Sequence, residues 1–183
     1  MQKAIETLKN GGIILYPTDT VWGIGCDATN EKAVKKIIKL KERESDKSFI
    51  ILLDNDLKLN RYVKQIPDIA WDLIEFSTKP TTIIYPEGYN LASNVLAKDK
   101  SIGIRIVTEG FCNELLRKFG KPIVSTSANF KNQPTPLSFK DIDKRILAEM
   151  DYVLPLQSEN KKDIKSSKII KLGIHGRIEF IRK

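Results

Sequence analysis

Residues 31–53, EKAVKKIIKLKERESDKSFIILL, hold the transition that decides the fold. The first half places apolar residues at helical spacing. Val34, Ile37 and Ile38 share one face, and Lys41 continues it. The second half, SFIILL (48–53), is an unbroken apolar run with the length of a buried strand. Between them stands the charged stretch KERESDK (41–47), whose Lys47 lies just before that strand. A helix that leads into a buried strand is the building unit of an α/β protein.

The same alternation continues outward. Residues 2–10 read as a short amphipathic helix stopped at Gly11–Gly12, and IILY (13–16) as a strand broken by Pro17. Residues 56–76 hold one or two helices, with Pro67 opening the second, and TTIIY (81–85) is a strand. KSIGIRIV (100–107) alternates: Ile102, Ile104 and Ile106 on one face, Ser101, Gly103, Arg105 and Val107 on the other. A helix at 109–119 ends at Gly120, PIVST (122–126) is a strand, and a helix at 138–150 opens at Ser138. YVLPL, KIIKL and RIEFI close the chain as strands. The pattern predicts one α/β domain over residues 1–183, built on a twisted mixed sheet. The polar loop 157–168 is long enough for a mobile flap, and its composition suits an idle surface loop equally well.

Composition narrows the class. The chain has 183 residues, 41% hydrophobic and 30% charged, which is enough to bury a core and argues against disorder. Cys26 and Cys112 have neither metal-ligand spacing nor a disulfide framework, as in a reducing compartment, and are read as inert small hydrophobes. No apolar run approaches the ~20 residues of a membrane span, and the N-terminus does not read as a signal peptide. A cytoplasmic protein is expected. The net charge of +8 fits phosphate-bearing small molecules, RNA or simple solubility.

Four places carry polar residues where the pattern calls for apolar ones. In LYPTDTVWGIGCDA (15–28), Thr18, Asp19 and Thr20 follow a strand, and Trp22-Gly-Ile-Gly lets backbone come close to a ligand or simply forms a turn. Lys41 continues the apolar stripe of its helix, with Arg43 and Lys47 beside it. Arg105 needs an anion partner if its sheet face is covered, and is a surface residue if that face is wet. In GKPIVSTSANFKNQPTP (120–136), Ser125 and Ser127 point the same way from a strand end, and Asn129 opens the following loop. Open α/β sheets bind ligands at such strand ends. The single histidine, His175, lies in a glycine-flanked turn. The sequence shows no Ser/His/Asp set and no metal-ligand cluster, so an enzyme of this kind acts by positioning and charge neutralisation.

YPTDTVWGIGCDA, KLKERESDKSFIILL, SIGIRI and PIVSTSANFKNQPTP, in this order and spacing, resemble the YrdC-type threonylcarbamoyl-adenylate synthases over roughly residues 11–136. Lys41-x-Arg43 together with Ser127-x-Asn129 is that family's signature. The resemblance implies an open α/β fold with a basic concave cavity. It implies a nucleotidyltransferase that converts L-threonine, bicarbonate and ATP, with Mg²⁺, into threonylcarbamoyl-AMP and pyrophosphate. That product feeds the t6A modification of tRNA through a separate transferase complex. By position, Lys41 and Arg43 resemble the catalytic basic pair. Thr20, Arg105, Ser125 and Ser167 resemble the threonine-side residues. Arg43, Lys47, Ser101, Ser127, Asn129, Thr135 and Arg182 resemble the ATP-side residues, and no residue is assigned as a metal ligand. The family's usual Trp-Pro-Gly-Pro is replaced by FSTKPTT, which keeps Pro80 and Thr82, and its Ser-Thr pair reads Ser167-Lys168. The chain resembles the short form without the extra C-terminal domain. Two other readings stand beside it. One is an RNA-binding module of the same fold without synthase activity. The other is a carbamoyl transfer like that of hydrogenase maturation, whose proteins carry this domain within much larger chains.

Overall fold

The computed structural model describes residues 1–42, 48–155, 166–173 and 176–182. Arg43, Lys47, His175 and most of the expected flap at 157–168 lie outside the described residues. The helices are α1 (Gln2–Lys9), α2 (Glu31–Lys41), α3 (Ile69–Glu75), α4 (Gly110–Phe119) and α5 (Lys144–Ala148). The strands are β1 (Ile14–Pro17), β2 (Trp22–Asp27), β3 (Ile50–Leu53), β4 (Thr81–Tyr85), β5 (Ile102–Ile106), β6 (Ile123–Ser127), β7 (Tyr152–Val153), β8 (Lys168–Leu172) and β9 (Ile178–Arg182). Among the described residues the strands form one mixed sheet in the order β7-β1-β2-β6-β3-β5-β4-β8-β9. The pairs β3–β5, β1–β7 and β4–β8 are parallel, and the others are antiparallel.

Helices cover both faces. On one, Ile5 and Leu8 of α1 and Leu115, Leu116 and Phe119 of α4 pack on Ile14, Tyr16, Leu52 and Ile123. On the other, Ala33, Val34 and Ile37 of α2 join Ile24, Ile51, Leu53 and Ile104. The α2 stripe is therefore buried as its spacing predicts, and Lys41 is buried with it. Asn30 caps α2 through its side-chain oxygen, which accepts from the N–H groups of Lys32 and Ala33. Gly120 ends α4 at φ 80°, a conformation that strongly favours glycine.

Two elements differ from the sequence expectation. The expected helix at 138–150 is split. Ser138 and Asp141 close a capping box around a single turn (Phe139–Asp141), and Asp143 then caps α5 by accepting from Arg145 N. The stretch after Pro17 holds more than a turn: residues 22–27 are a fully buried strand between β1 and β6, and Pro17 is the last paired residue of β1.

Glycine is required in β2 by close approach. A Cβ at Gly25 would lie 2.6 Å from Val124 O and 2.7 Å from Tyr16 Cε1, and the first contact is with backbone of the paired strand. Gly25→Ala is therefore expected to cost about 2–4 kcal/mol of stability through overpacking, read as a lowered melting temperature. A variant melting with the parent would contradict this packing.

Cys26 and Cys112 are free and buried. Burial pushes the Cys112 thiol up to about 12 and raises Cys26 as well, so both stay neutral and poorly nucleophilic. Among the described residues no helix is long and apolar enough to cross a membrane.

Candidate active site

The strand periodicity of two builds the site floor. Ile123, Ser125 and Ser127 share one face of β6. Ile123 belongs to the layer beneath α1 and α4, and the two serines carry the same face past those helices. The register aligns a row across five strands: Gly25, Ser125, Ile50, Gly103 and Ile84. Small and polar residues on this row leave room above the sheet. A cavity of about 520 Å³ opens there, lined by Gly23, Ser125, Ser127, Gly103 and Ser101, with Thr18 and Thr20 on one side and Ser167, Lys171 and Arg182 on another.

The loop between β1 and β2 presents Thr20. The Thr18 hydroxyl accepts from Thr20 N (3.0 Å) and Val21 N (3.2 Å) and donates to Val21 O (2.8 Å). The Thr20 hydroxyl lies 3.0 Å from it, so both threonines are fixed by a local hydroxyl turn.

Arg105 settles the question of its face. It is 4% exposed, lines the cavity, and donates from Nη2 to Asp19 Oδ1 at 2.8 Å. Its Nε is buried without a hydrogen-bond partner. A guanidinium with one amine paired and another donor unsatisfied is suited to a second anion. Arg182 reaches the cavity from β9. Its Nε donates to Ser167 O (2.7 Å) and its Nη2 to Ser167 Oγ (3.2 Å). Burial, and then the charge of Arg105, pull the Arg182 guanidinium below its ordinary value. Two cations facing one another across a cavity are relieved by a bound anion. Ser167 is itself buried, its hydroxyl 2.9 Å from that of Thr82.

Of the residues singled out from sequence, Thr20, Ser101, Arg105, Ser125, Ser127, Thr135, Ser167 and Arg182 come together on this cavity. Lys41 and Asn129 do not line it. The Lys41 ammonium, expected to face phosphate or carbamate, is engaged by backbone and side-chain carbonyls at the end of β6. It donates to Ser127 O (2.9 Å), to Asn129 Oδ1 (3.1 Å) and to Asn129 O. A buried ammonium needs acceptors, and these carbonyls lie nearest the end of α2. Asn129 Oδ1 also accepts from Ser127 Oγ (2.5 Å), and its Nδ2 donates to Gln133 O (2.6 Å). Lys41 and Asn129 thus form a brace that holds the Ser127 end of β6.

Three charged residues around the site were not singled out from the sequence. Asp19, the partner of Arg105, was visible only as a loop acid and does not itself line the cavity. Lys171 on β8 and Asp99 face the cavity as a 3.3 Å ion pair. A hydrogen bond from Ser101, and then Lys171, hold the Asp99 carboxyl below its ordinary range.

Fold and cavity together define an open α/β protein with a hydroxyl-floored, arginine-flanked cavity on one sheet face. The chain belongs to the Sua5/YciO/YrdC family, whose model carries the description "Telomere recombination" and matches residues 6–183. A threonylcarbamoyl-AMP synthase of Stenotrophomonas maltophilia is 34% identical over 157 residues, 84% of this chain and 84% of the relative. One of Pseudoalteromonas translucida is 32% identical over 177 residues, 92% of this chain and 95% of the relative. Among solved structures, E. coli YciO superposes with TM-score 0.84 at 23% identity, over 99% of this chain and 87% of that one. P. abyssi Sua5 complexed with L-threonine gives TM-score 0.84 at 24% identity, over 93% of this chain. This chain spans 50% of the Sua5 length.

Proposed function

We propose that the protein is a threonylcarbamoyl-AMP synthase, a nucleotidyltransferase that joins L-threonine, bicarbonate and ATP. The observation that carries this reading is the buried Arg105, with Asp19 on one amine and an unpartnered Nε, in a cavity otherwise floored by hydroxyls. Such a group recognises a carboxylate on a small polar molecule, and the curated relatives bear the name of an enzyme whose product contains threonine.

In this reading Arg105 takes the threonine carboxylate, with Thr20, Ser125 and Ser167 around the rest of the amino acid. Ser101, Ser127, Thr135 and Arg182 serve the nucleotide, together with Arg43 and Lys47 from the adjoining 43–47 segment. Lys41 and Asn129 hold Ser127 in place. The threonine amine combines with bicarbonate, losing water, to give a carbamate. A carbamate oxygen attacks the α-phosphorus, and the bond to the β-phosphate oxygen breaks as pyrophosphate leaves. No side-chain nucleophile is needed. The enzyme aligns two anions and spreads the developing charge. Among the described residues no three His, Cys, Asp or Glu side chains converge. Mg²⁺, if bound with the nucleotide, would offset phosphate charge, and no residue of this chain is assigned to hold it. Residues 1–183 act as one domain in the cytoplasm, and the product passes to a transferase complex that modifies tRNA.

Incubation with L-threonine, bicarbonate and ATP is expected to release pyrophosphate only when all three are present. Release without threonine would overturn the synthase reading, and salt-sensitive RNA binding with no turnover would replace the enzyme by the binding module.

A further inference from the structure

Tyr16 lies on β1, fully buried, and its hydroxyl makes no hydrogen bond of full geometry, although the Ser125 side chain lies close enough to act on it. Buried hydroxyls are paired in the large majority of cases, so each exception calls for an explanation. The ring packs over the bare backbone of β2. A Cβ at Gly25 would lie 2.7 Å from Tyr16 Cε1, and one at Gly23 would lie 3.5 Å from the same atom. That Gly23 position is also 3.2 Å from Ser125 Oγ. Tyr16 and Ser125 therefore approach each other over one glycine, from the two strands that flank β2. Ser125 lines the cavity and Tyr16 does not.

We propose that Tyr16 is a positioning residue for the amino-acid side of the cavity. When a ligand oxygen accepts the Ser125 proton, the Tyr16 hydroxyl donates to the lone pair turned toward it and fixes the Ser125 rotamer. The inference rests on the proposed function, in which Ser125 contacts threonine. A serine hydroxyl has one donor and two acceptor sites, so it can give to the ligand and receive from Tyr16 at once. Each bond strengthens the other. Burial raises the phenol above its ordinary value and keeps it protonated as a donor.

Tyr16→Phe removes only the oxygen. The expected result is a rise of about three- to ten-fold in KM for threonine, with KM for ATP and kcat within two-fold of the parent. The melting temperature should be unchanged or higher, because an orphan buried hydroxyl has been deleted. In a Ser125→Ala background the same change should have no effect on threonine, since the pair acts as one unit. A residue that only filled space would leave KM for threonine at the parent value, because the variant keeps the ring. The proposal is overturned if Tyr16→Phe leaves KM for threonine at the parent value, or if its effect persists without Ser125. A parent protein that shows no threonine-dependent turnover overturns the proposed function and this inference together. A parent that turns over threonine while Tyr16→Phe matches it removes only the role of Tyr16.

Discussion

Replacing Arg105 with alanine is expected to lower kcat/KM for threonine on the order of 100-fold or more, the usual consequence of deleting one partner of a buried, hydrogen-bonded charge pair. The side chain is 5% exposed and Asp19, its partner, 19%. The substitution removes the guanidinium proposed to take the threonine carboxylate and also leaves the Asp19 carboxylate without its countercharge. The second effect costs about 3 kcal/mol of stability, so the melting temperature falls as well. Arg105→Ala combined with Asp19→Asn separates the two effects. Neutralising the stranded acid restores most of the melting temperature, and the threonine defect remains. Arg105→Lys is expected to fall between, because a point charge cannot reproduce two parallel N–H donors. Pyrophosphate release against threonine concentration, at saturating ATP, measures the effect. An Arg105→Ala protein that is folded and within three-fold of the parent would remove Arg105 from the site.

The second large effect is expected at Lys41. Lys41→Met keeps the bulk of the aliphatic stem and deletes an ammonium that serves Ser127 O and both oxygens of Asn129. These carbonyls are partly buried, so losing their shared donor is expected to cost about 1–3 kcal/mol in all. The end of β6 then loosens. KM for ATP should rise about ten-fold, equivalent to the ~1.4 kcal/mol of a misplaced contact, while KM for threonine moves less. A phosphate-facing lysine predicts the opposite pattern, with an unchanged melting temperature and a collapsed kcat. Melting curves and separate titrations of the two substrates decide between a brace and a catalytic cation.

The course from α2 into β3 and the alternation of β5 were legible because helix and strand periods are local properties of the chain. Ser125 and Ser127 were legible for the same reason, since a period of two fixes that both face one way. Strand β2 was not. Its WGIGCD has two glycines and no polar alternation, because it is buried on both faces in the middle of the sheet. The glycines were read as room for a ligand. Gly23 does line the cavity, and Gly25 makes room for Tyr16 and the Val124 carbonyl. The helix at 138–150 failed at Asp143, a capping residue in the middle of an otherwise periodic run. At Lys41 the stripe foretold burial but not direction, because the acceptors belong to the turn after β6, far along the chain. The partner of Arg105 was hidden likewise: nothing near Asp19 in sequence specifies which strand its carboxylate will meet.

The cavity floor and its outer wall are made at different times. The floor is complete once β6 has been synthesised, whereas Lys171 and Arg182 come from the last two described strands in chain order, and Ser167 is the residue just before them. A ribosome delivers the chain from its N-terminus, and folding proceeds on what has already emerged. Until β8 arrives to pair with β4, the nascent sheet shows β4 as a naked edge, with the unpaired N–H and C=O groups that template wrong pairings. The wall that completes the binding site is thus also the cover that protects the newborn sheet. Mutations that slow the docking of β8 should therefore reduce the yield of soluble protein as well as its affinity for ligand.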